Sequence, residues 1–118
     1  MAKIVIIDDE QEILTTLERF LTRNDLHKVQ TFANPLTALE RLNDDTEIIL
    51  LDVMMPQING LELLPKLKVK YPNAKVIIMT AYSTLETVLQ SQRAGATDYI
   101  MKPFKSLDEI TKKIKAVL

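Results

Sequence analysis

Hydrophobic positions along the chain follow two alternating patterns. Short apolar runs, most of them nearly continuous in Ile, Val and Leu, alternate with longer segments in which apolar residues recur at helical spacing. Continuous runs are typical of strands buried on both faces of a parallel sheet, and the longer segments are typical of helices that cover such a sheet. The predicted strands are Ile4–Ile7, Lys28–Phe32, Ile48–Leu51, Val76–Met79 and Asp98–Met101.

Each predicted strand is followed by a predicted helix. Asn34-Pro35 is typical of an N-cap followed by proline at the first helical position, and Gly95 stands where a helix end favours positive φ. Pro65 lies inside the third helix, where proline removes a backbone hydrogen bond, so we expect a kink or a late helix start near Leu61–Pro65. The apolar stripes lie at Ile13, Leu14, Leu17, Phe20 and Leu21, at Leu36, Leu39 and Leu42, at Leu61, Leu64 and Leu67, at Leu85, Val88 and Leu89, and at Leu107, Ile110, Ile114 and Val117.

Regular alternation of strands and helices predicts an α/β fold with a parallel sheet, right-handed crossovers and helices on both faces. The chain has 118 residues, which suits one domain over residues 1–118 and is too short for a barrel. We therefore expect a doubly wound, flavodoxin-like sheet of five strands, a class whose strand order is 2-1-3-4-5. Periodicity alone does not give that order.

Polar side chains stand at the ends of four of the five predicted strands. The first strand ends in Asp8 and Asp9, the third in Asp52, the fourth in Thr80 and the fifth in Lys102. Ligands of such sheets bind beyond the carboxyl ends of the strands, so we expect these groups to meet at one edge. Each also has an ordinary interpretation, because an aspartate or threonine can cap the next helix and a lysine is commonly a surface charge. Agreement among four strand ends favours a site.

These groups suit phosphoryl transfer to a carboxylate. Clustered carboxylates raise one another's pKa unless a cation joins them, and Mg²⁺ takes oxygen ligands of this kind. An aspartate can act as a nucleophile and form an acyl phosphate, while a lysine and a threonine hydroxyl can bind phosphoryl oxygens. A glycine-rich phosphate loop is excluded because Gly60 and Gly95 are the only glycines.

The composition narrows the function classes further. Hydrophobic residues make up 47% of the chain, enough for a core, and the formal net charge of -1 gives no indication of nucleic-acid binding. Cysteine is absent, which excludes disulfides and cysteine-based catalysis. Without an apolar stretch of membrane-spanning length or a signal-peptide pattern, we expect a cytoplasmic domain with no membrane contact. The single histidine, His27, lies near a predicted loop and is interpreted as a surface residue.

Four motifs resemble the receiver domain of bacterial two-component response regulators. They are "VIIDDE", "LLDVMMPQINGLELL", "VIIMTAY" and "DYIMKPF", and they stand in the order and spacing of that family over essentially the whole chain. The resemblance implies a domain that accepts a phosphoryl group from a sensor histidine kinase or a histidine phosphotransfer protein. It implies a phosphoacceptor rather than an enzyme, although such a domain can catalyse its own phosphorylation and dephosphorylation.

The resemblance also assigns roles residue by residue. Asp52 matches the phosphoacceptor. Asp8 and Asp9 match the acidic pair that binds Mg²⁺, for which Mn²⁺ or Ca²⁺ could substitute, together with Asp52 and the backbone carbonyl of Met54. Lys102 matches the lysine that contacts the phosphoryl group.

Conformational switching is implied for two residues at or near the strand ends. Thr80 matches the switch hydroxyl that turns toward the phosphoryl group, and Tyr99 matches the aromatic residue that moves with it. The Lys102–Pro103 peptide bond is expected to be cis, as in the family.

The expected readout surface comprises the fourth helix, fifth strand and fifth helix, roughly Thr84–Arg93, Thr97–Ile100 and Ser106–Leu118. In the family this face commonly forms a homodimer or meets an output domain. The segment "TAYSTLETVLQSQRAGATDYIMKPF" looks most like receivers of transcriptional activators, and no output domain is visible in this chain. Ile13, beside the acidic pair, is interpreted either as a kinase contact or as a core residue.

Two residues near the site depart from the family pattern, and two alternative functions are open. Met54 and Tyr82 hold positions from which an acid or amide side chain could orient attacking water, which neither can do, so we expect a long-lived acyl phosphate. A stand-alone phosphorelay receiver is one alternative, and a metal-dependent aspartyl-nucleophile phosphatase is another. Such phosphatases tend to carry a DxD-type motif after the first strand, whereas Asp8 and Asp9 are adjacent and the best nucleophile follows the third strand.

Overall fold

The computed structural model describes residues 2–24, 26–81 and 85–118 of the chain. Its five strands form one parallel sheet in the order β2-β1-β3-β4-β5, which confirms the predicted doubly wound, flavodoxin-like fold. The predicted strand bounds agree with the observed ones to within one residue at each end. The strands are β1 (Lys3–Ile7), β2 (Lys28–Phe32), β3 (Ile48–Asp52), β4 (Lys75–Thr80) and β5 (Asp98–Met101).

Helices follow the strands as the periodicity predicts. Within the described ranges, no helix combines the length and the apolar character that crossing a membrane would require. The helices are α1 (Gln11–Asn24), α2 (Pro35–Arg41), α3 (Gly60–Lys70), α4 (Leu85–Arg93) and α5 (Leu107–Val117).

The sheet separates two apolar core layers, because successive side chains of a strand point to opposite faces. On the central strand β3, Ile48 and Leu50 pack in the layer formed with α1 and α5, and Ile49 and Leu51 pack in the layer formed with α2 and α3. Every residue of β3 is buried. The two layers therefore fix the direction of each strand residue, including the last one, Asp52.

Capping residues define several helix ends. The side chain of Asn34 accepts hydrogen bonds from the backbone N–H groups of Leu36 and Thr37, with Pro35 in the first helical position, so the predicted cap is confirmed. Beyond α4, Gly95 has φ +109°, which confirms the expected positive φ.

Pro65 lies inside α3, which begins at Gly60, so the expected late start of this helix is wrong. The reason is local: Asn59 caps the helix by accepting the N–H of Leu61 at 2.8 Å. Burial of Leu63 and its apolar neighbours against the sheet also favours helix on the N-terminal side of the proline. The kink stays a prediction.

His27 is buried, so its interpretation as a surface residue is wrong. Its Nδ1 atom accepts a hydrogen bond from the backbone N–H of Ala2 at 2.9 Å. The backbone N–H of His27 donates to the carbonyl of Leu21 at 3.1 Å. The histidine thus joins the start of β1 to the turn between α1 and β2. No local sequence pattern indicates a contact between segments so far apart in the chain.

Replacing His27 with Ala should lower the free energy of unfolding by about 1–2 kcal/mol, because the buried N–H of Ala2 loses its acceptor. His27→Asn is the matched control, since its amide oxygen can stand close to the position of Nδ1 and should recover part of the loss. Urea unfolding followed by circular dichroism measures both. Equal stability of His27→Ala and the wild type would contradict the structural role.

Candidate functional site

Three of the predicted site residues meet at the carboxyl edge of the sheet. Asp52 is the last residue of β3, while Asp8 and Lys102 directly follow β1 and β5. The Nζ atom of Lys102 lies 2.6 Å from Oδ2 of Asp8 and 3.2 Å from Oδ1 of Asp52. In the sheet order, β4 lies between β5 and β3, and β3 lies between β4 and β1. The long lysine side chain therefore passes the end of β4 to reach Asp52 and the ends of β4 and β3 to reach Asp8.

The alternation along the strands explains why these side chains converge. Ile6, Leu50 and Ile100 all belong to the core layer of α1 and α5. Each of the three site residues comes two positions after one of these apolar residues: Asp8 after Ile6, Asp52 after Leu50, and Lys102 after Ile100. Because residues two apart in an extended chain point to the same side, each site residue lies on the same face as its apolar neighbour. The site is thus the polar end of one core layer.

Burial controls the charges of the two carboxylates. Asp8 is 0% exposed and Asp52 is 4% exposed. Burial and, second to it, the neighbouring carboxylate of Asp8 together raise the pKa of Asp52 to about 7, although Lys102 acts in the opposite direction. Burial likewise raises the pKa of Asp8, against the hydrogen bond from Lys102.

Lys102 stays protonated in these surroundings. Burial of its ammonium would lower the pKa, but the hydrogen bond to Asp8 and the charge of Asp52 outweigh that effect and raise the pKa above its ordinary value. The backbone of Lys102 is also fixed, since its N–H donates to the carbonyl of Thr80 at 2.8 Å. The Lys102–Pro103 bond is cis, which confirms the expectation.

Asp9 and Glu10 complete an acidic cluster with Asp8. One carboxylate oxygen from each of the three lies within 4.8 Å of the others, and both Asp9 and Glu10 are exposed. Asp8 Oδ1 accepts the N–H of Glu10 at 2.9 Å, and Glu10 Oε1 lies 3.5 Å from Lys102 Nζ. Hard carboxylate oxygens in this number fit a divalent cation such as Mg²⁺. Sequence analysis missed Glu10, although it directly follows the acidic pair.

Thr80 on β4 and Tyr99 on β5 lie on the face of the sheet opposite to Lys102. Thr80 ends β4 and is buried, while Tyr99 is half-buried on β5 and pairs with Ile78. The Tyr99 ring packs against the core layer of α2 and α3. The tyrosine therefore precedes Lys102 by only three residues in the chain, but its ring packs against the opposite core layer.

The loop after Asp52 closes tightly onto α3. Met54 is 56% exposed in this loop, whereas Met55 is buried in the core. The N–H of Gly60 donates to the carbonyl of Val53 at 2.8 Å, and a Cβ atom on Gly60 would collide with the carbonyl oxygen of Asp52. Glycine is required there by the backbone of Asp52, a constraint that sequence analysis missed.

A groove opens beside Lys102, between the start of α1 and the loop before α5. It has a volume of about 490 Å³, and its apolar lining includes Ile13, Pro103, Phe104 and Leu107. Ile13 is half-buried and packs against the core layer of α1 and α5 while also lining the groove. Both interpretations of Ile13, core residue and surface contact, remain compatible with this position.

The sheet order and the polar edge define a flavodoxin-like α/β domain with its site beyond the strand ends. The family model of the response regulator receiver domain matches residues 4–115, so the chain belongs to this family. It is a receiver domain of the two-component response regulators.

Individual relatives agree with this assignment. The chain is 40% identical over 105 residues to the DNA-binding transcriptional regulator NtrC of Escherichia coli K12, covering 88% of this chain and 22% of that protein. It is 36% identical over 117 residues to the sporulation initiation phosphotransferase F of Bacillus subtilis, covering 98% and 93%. The BeF3-activated receiver domain of DrrB, a Thermotoga maritima protein, superposes with a TM-score of 0.89 at 32% identity, covering 99% and 97%. The chain thus spans less than a quarter of the length of the NtrC relative.

In metal-free protein, replacing Asp52 with Asn should raise the free energy of unfolding near neutral pH. The raised pKa means that the folded state binds the proton of Asp52 more tightly than the unfolded state, so stability falls as pH rises from about 4 through about 7. Removing the carboxylate removes this loss, and the gain should be roughly 1–3 kcal/mol at about pH 8 and smaller at about pH 5.

Urea unfolding in EDTA at the two pH values measures this difference. Asp44→Asn, which changes an exposed carboxylate of the same type, is the control and should leave the stability nearly unchanged. An Asp52→Asn protein less stable than the wild type at the higher pH would contradict the expectation.

Proposed function

We propose that Asp52 accepts a phosphoryl group from a phosphohistidine of a sensor histidine kinase or a histidine phosphotransfer protein. The observation that carries the proposal is the ammonium of Lys102, 3.2 Å from a carboxylate that is 4% exposed at the sheet edge. A carboxylate oxygen forms a bond to phosphorus while the phosphorus–nitrogen bond of the donor breaks, which leaves an acyl phosphate on the domain.

Asp8, Asp9, Asp52 and the backbone carbonyl of Met54 are the proposed ligands of Mg²⁺, for which Mn²⁺ or Ca²⁺ could substitute. The grouping of carboxylate oxygens from Asp8, Asp9 and Glu10 within 4.8 Å supports this. When bound, the cation supplies positive charge next to the phosphoryl oxygens. Glu10 is close enough to act in the same cluster, either on the cation or on Lys102.

Lys102 and Thr80 are the proposed partners of the phosphoryl oxygens. An ammonium donates strong charge-assisted hydrogen bonds to such oxygens, and Lys102 can turn from Asp8 toward the new group without moving its backbone. Thr80 is the last residue of β4, the strand next to β3. Asp52 of β3 pairs with Met79 of β4, so Thr80 directly follows the residue that pairs with the phosphoacceptor.

Tyr99 is the proposed second switch residue, and the surface formed by α4, β5 and α5 is the proposed readout face. Phosphorylation can shift the domain only through contacts that differ between two states, and β5 carries both Tyr99 and the end that leads into Lys102. This face is a candidate for a homodimer or for contact with an output domain. Similarity to NtrC supports an output domain that controls transcription.

The groove beside Lys102 is the proposed docking site of the phosphodonor. Its apolar lining, with Ile13 and Phe104, adjoins Glu10 and Lys102 of the candidate site. A partner helix seated there would bring a phosphohistidine toward the carboxyl edge of the sheet. The second candidate function, a phosphorelay receiver, has the same chemistry and is supported by 36% identity to sporulation initiation phosphotransferase F. As is usual for this family, we expect the domain to act in the cytoplasm.

Incubation with acetyl phosphate and Mg²⁺ should add one phosphoryl group to the wild type and none to Asp52→Asn. Intact-mass spectrometry measures the label, and tandem mass spectrometry locates it. Asp44→Asn, which changes an exposed aspartate away from the sheet edge, is the matched control and should be labelled like the wild type. Omission of the metal should greatly reduce the labelling.

A parallel incubation with simple phosphate esters separates the receiver from the rival phosphatase. A phosphatase would release many equivalents of phosphate per chain from simple phosphate esters, whereas the proposed receiver is labelled once per chain. Labelling of Asp52→Asn to the wild-type extent would disprove Asp52 as the phosphoacceptor.

The acyl phosphate should persist for minutes or longer. The exposed side chain of Met54 cannot donate or accept the hydrogen bonds that would orient a water molecule; Tyr82, the other residue on which this expectation rests, lies outside the described residues. Met54→Asn should shorten the lifetime several-fold, while Val69→Asn, the same kind of change at a remote exposed site on α3, should not. Loss of the mass label over time measures the lifetime, and decay of the wild type within seconds would contradict the expectation.

A further inference from the structure

We propose that Lys113 is a positioning residue that holds Tyr99 in its present position and thereby sets how readily the domain switches. The proposal rests on the proposed function, in which Tyr99 changes position when Asp52 carries a phosphoryl group. Lys113 lies on α5 and has no role in the family motifs described above.

Lys113 makes two contacts with neighbouring residues of β5. Its Nζ atom donates to Oδ1 of Asp98 at 3.0 Å and lies 5.2 Å from the centroid of the Tyr99 ring. The same Oδ1 atom accepts the backbone N–H of Tyr99 at 2.8 Å. One carboxylate oxygen therefore fixes both the backbone of the tyrosine and the cation over its ring.

The contacts of Lys113 are partly shielded from solvent. The side chains of Lys113 and Asp98 are only 31% and 27% exposed. The Tyr99 ring is half-buried against the core layer of α2 and α3. Apolar packing and a positive charge thus both act on one ring, and a cation over an aromatic face is attracted by the electrons of the ring.

Tyr99 is mechanically linked to the candidate site through β5. It pairs with Ile78 on β4, and two pairs further along these strands Thr80 pairs with Met101, directly before Lys102. A movement of Tyr99 out of its position must break its contact with Lys113 unless the lysine follows it. The cation–ring attraction therefore favours the present conformation over the switched one.

Removing this attraction should make the switched state easier to reach. A ligand that binds the switched state gains apparent affinity when the competent fraction of the protein rises. A cation–π contact at a partly exposed site corresponds to a change of about 2- to 5-fold in such an equilibrium. Simple electrostatics predicts the opposite direction, because loss of a positive charge weakens the binding of an anionic group.

Titration of the chain with beryllium trifluoride in the presence of Mg²⁺ tests the proposal, with the bound fluoride followed by ¹⁹F NMR. Lys113→Met keeps the aliphatic stem and should lower the half-saturating concentration about 2- to 5-fold relative to the wild type. Lys113→Arg retains the cation over the ring and should behave like the wild type. Lys112→Met, a change at an exposed neighbour on the same helix, is the matched control and should also behave like the wild type.

A second comparison assigns the effect to Tyr99. In a Tyr99→Leu background, Lys113→Met should leave the half-saturating concentration unchanged, because the ring is absent. An unchanged or increased value for Lys113→Met in the otherwise wild-type chain would overturn the proposal, as would an equal decrease in the Tyr99→Leu background. If the wild type binds no beryllium trifluoride, the phosphoacceptor proposal itself fails, and the two failures are thereby distinguishable.

Discussion

The ammonium of Lys102 between the carboxylates of Asp8 and Asp52 is the interaction on which the edge of the sheet depends. Two aspartates that are almost completely buried cannot both remain charged without a nearby cation. The lysine stabilises them, yet the raised pKa of Asp52 indicates that the compensation is incomplete. The fold therefore maintains a site that still favours additional positive charge, which is a suitable starting point for a carboxylate that meets Mg²⁺ and an anionic substrate.

The position of this site follows from the sheet. Alternating side chains send Asp8 and Asp52 to the polar end of the core layer of α1 and α5, and the tight backbone contact of Gly60 holds the loop after Asp52 against α3. Tyr99 packs against the opposite layer, and the Nζ atom of Lys113, a residue of α5, lies 5.2 Å from the centroid of its ring. The polar edge and the Tyr99 ring therefore lie on different faces of the sheet, and β5 carries Tyr99 and leads into Lys102.

Sequence analysis predicted the fold well because the strands are short, strongly apolar and regularly spaced. It also predicted which residues meet, since Asp8, Asp52 and Lys102 occupy strand ends that parallel topology brings to one edge. It failed where the outcome depends on contacts between distant segments. The buried role of His27 requires knowing that Ala2 lies beside it, and the need for glycine at position 60 requires knowing the path of the backbone at Asp52. For α3 a kink or a late start was expected, and the late start is wrong because the cap at Asn59 and the burial of the helix outweigh the hydrogen bond that Pro65 removes.

The reach of Lys102 across β4 has a further consequence for the edge of the sheet. As an edge strand, β5 forms backbone pairs with β4, and the lysine is a side-chain connection from the end of β5 to the ends of β1 and β3. The binding of any group that competes for that ammonium is therefore thermodynamically coupled to the local unfolding of β5 from the sheet. Occupancy of the site should then be reflected in the opening free energies of backbone amides along β5, as reported by hydrogen exchange, whereas those of the fully buried β3 should follow global unfolding.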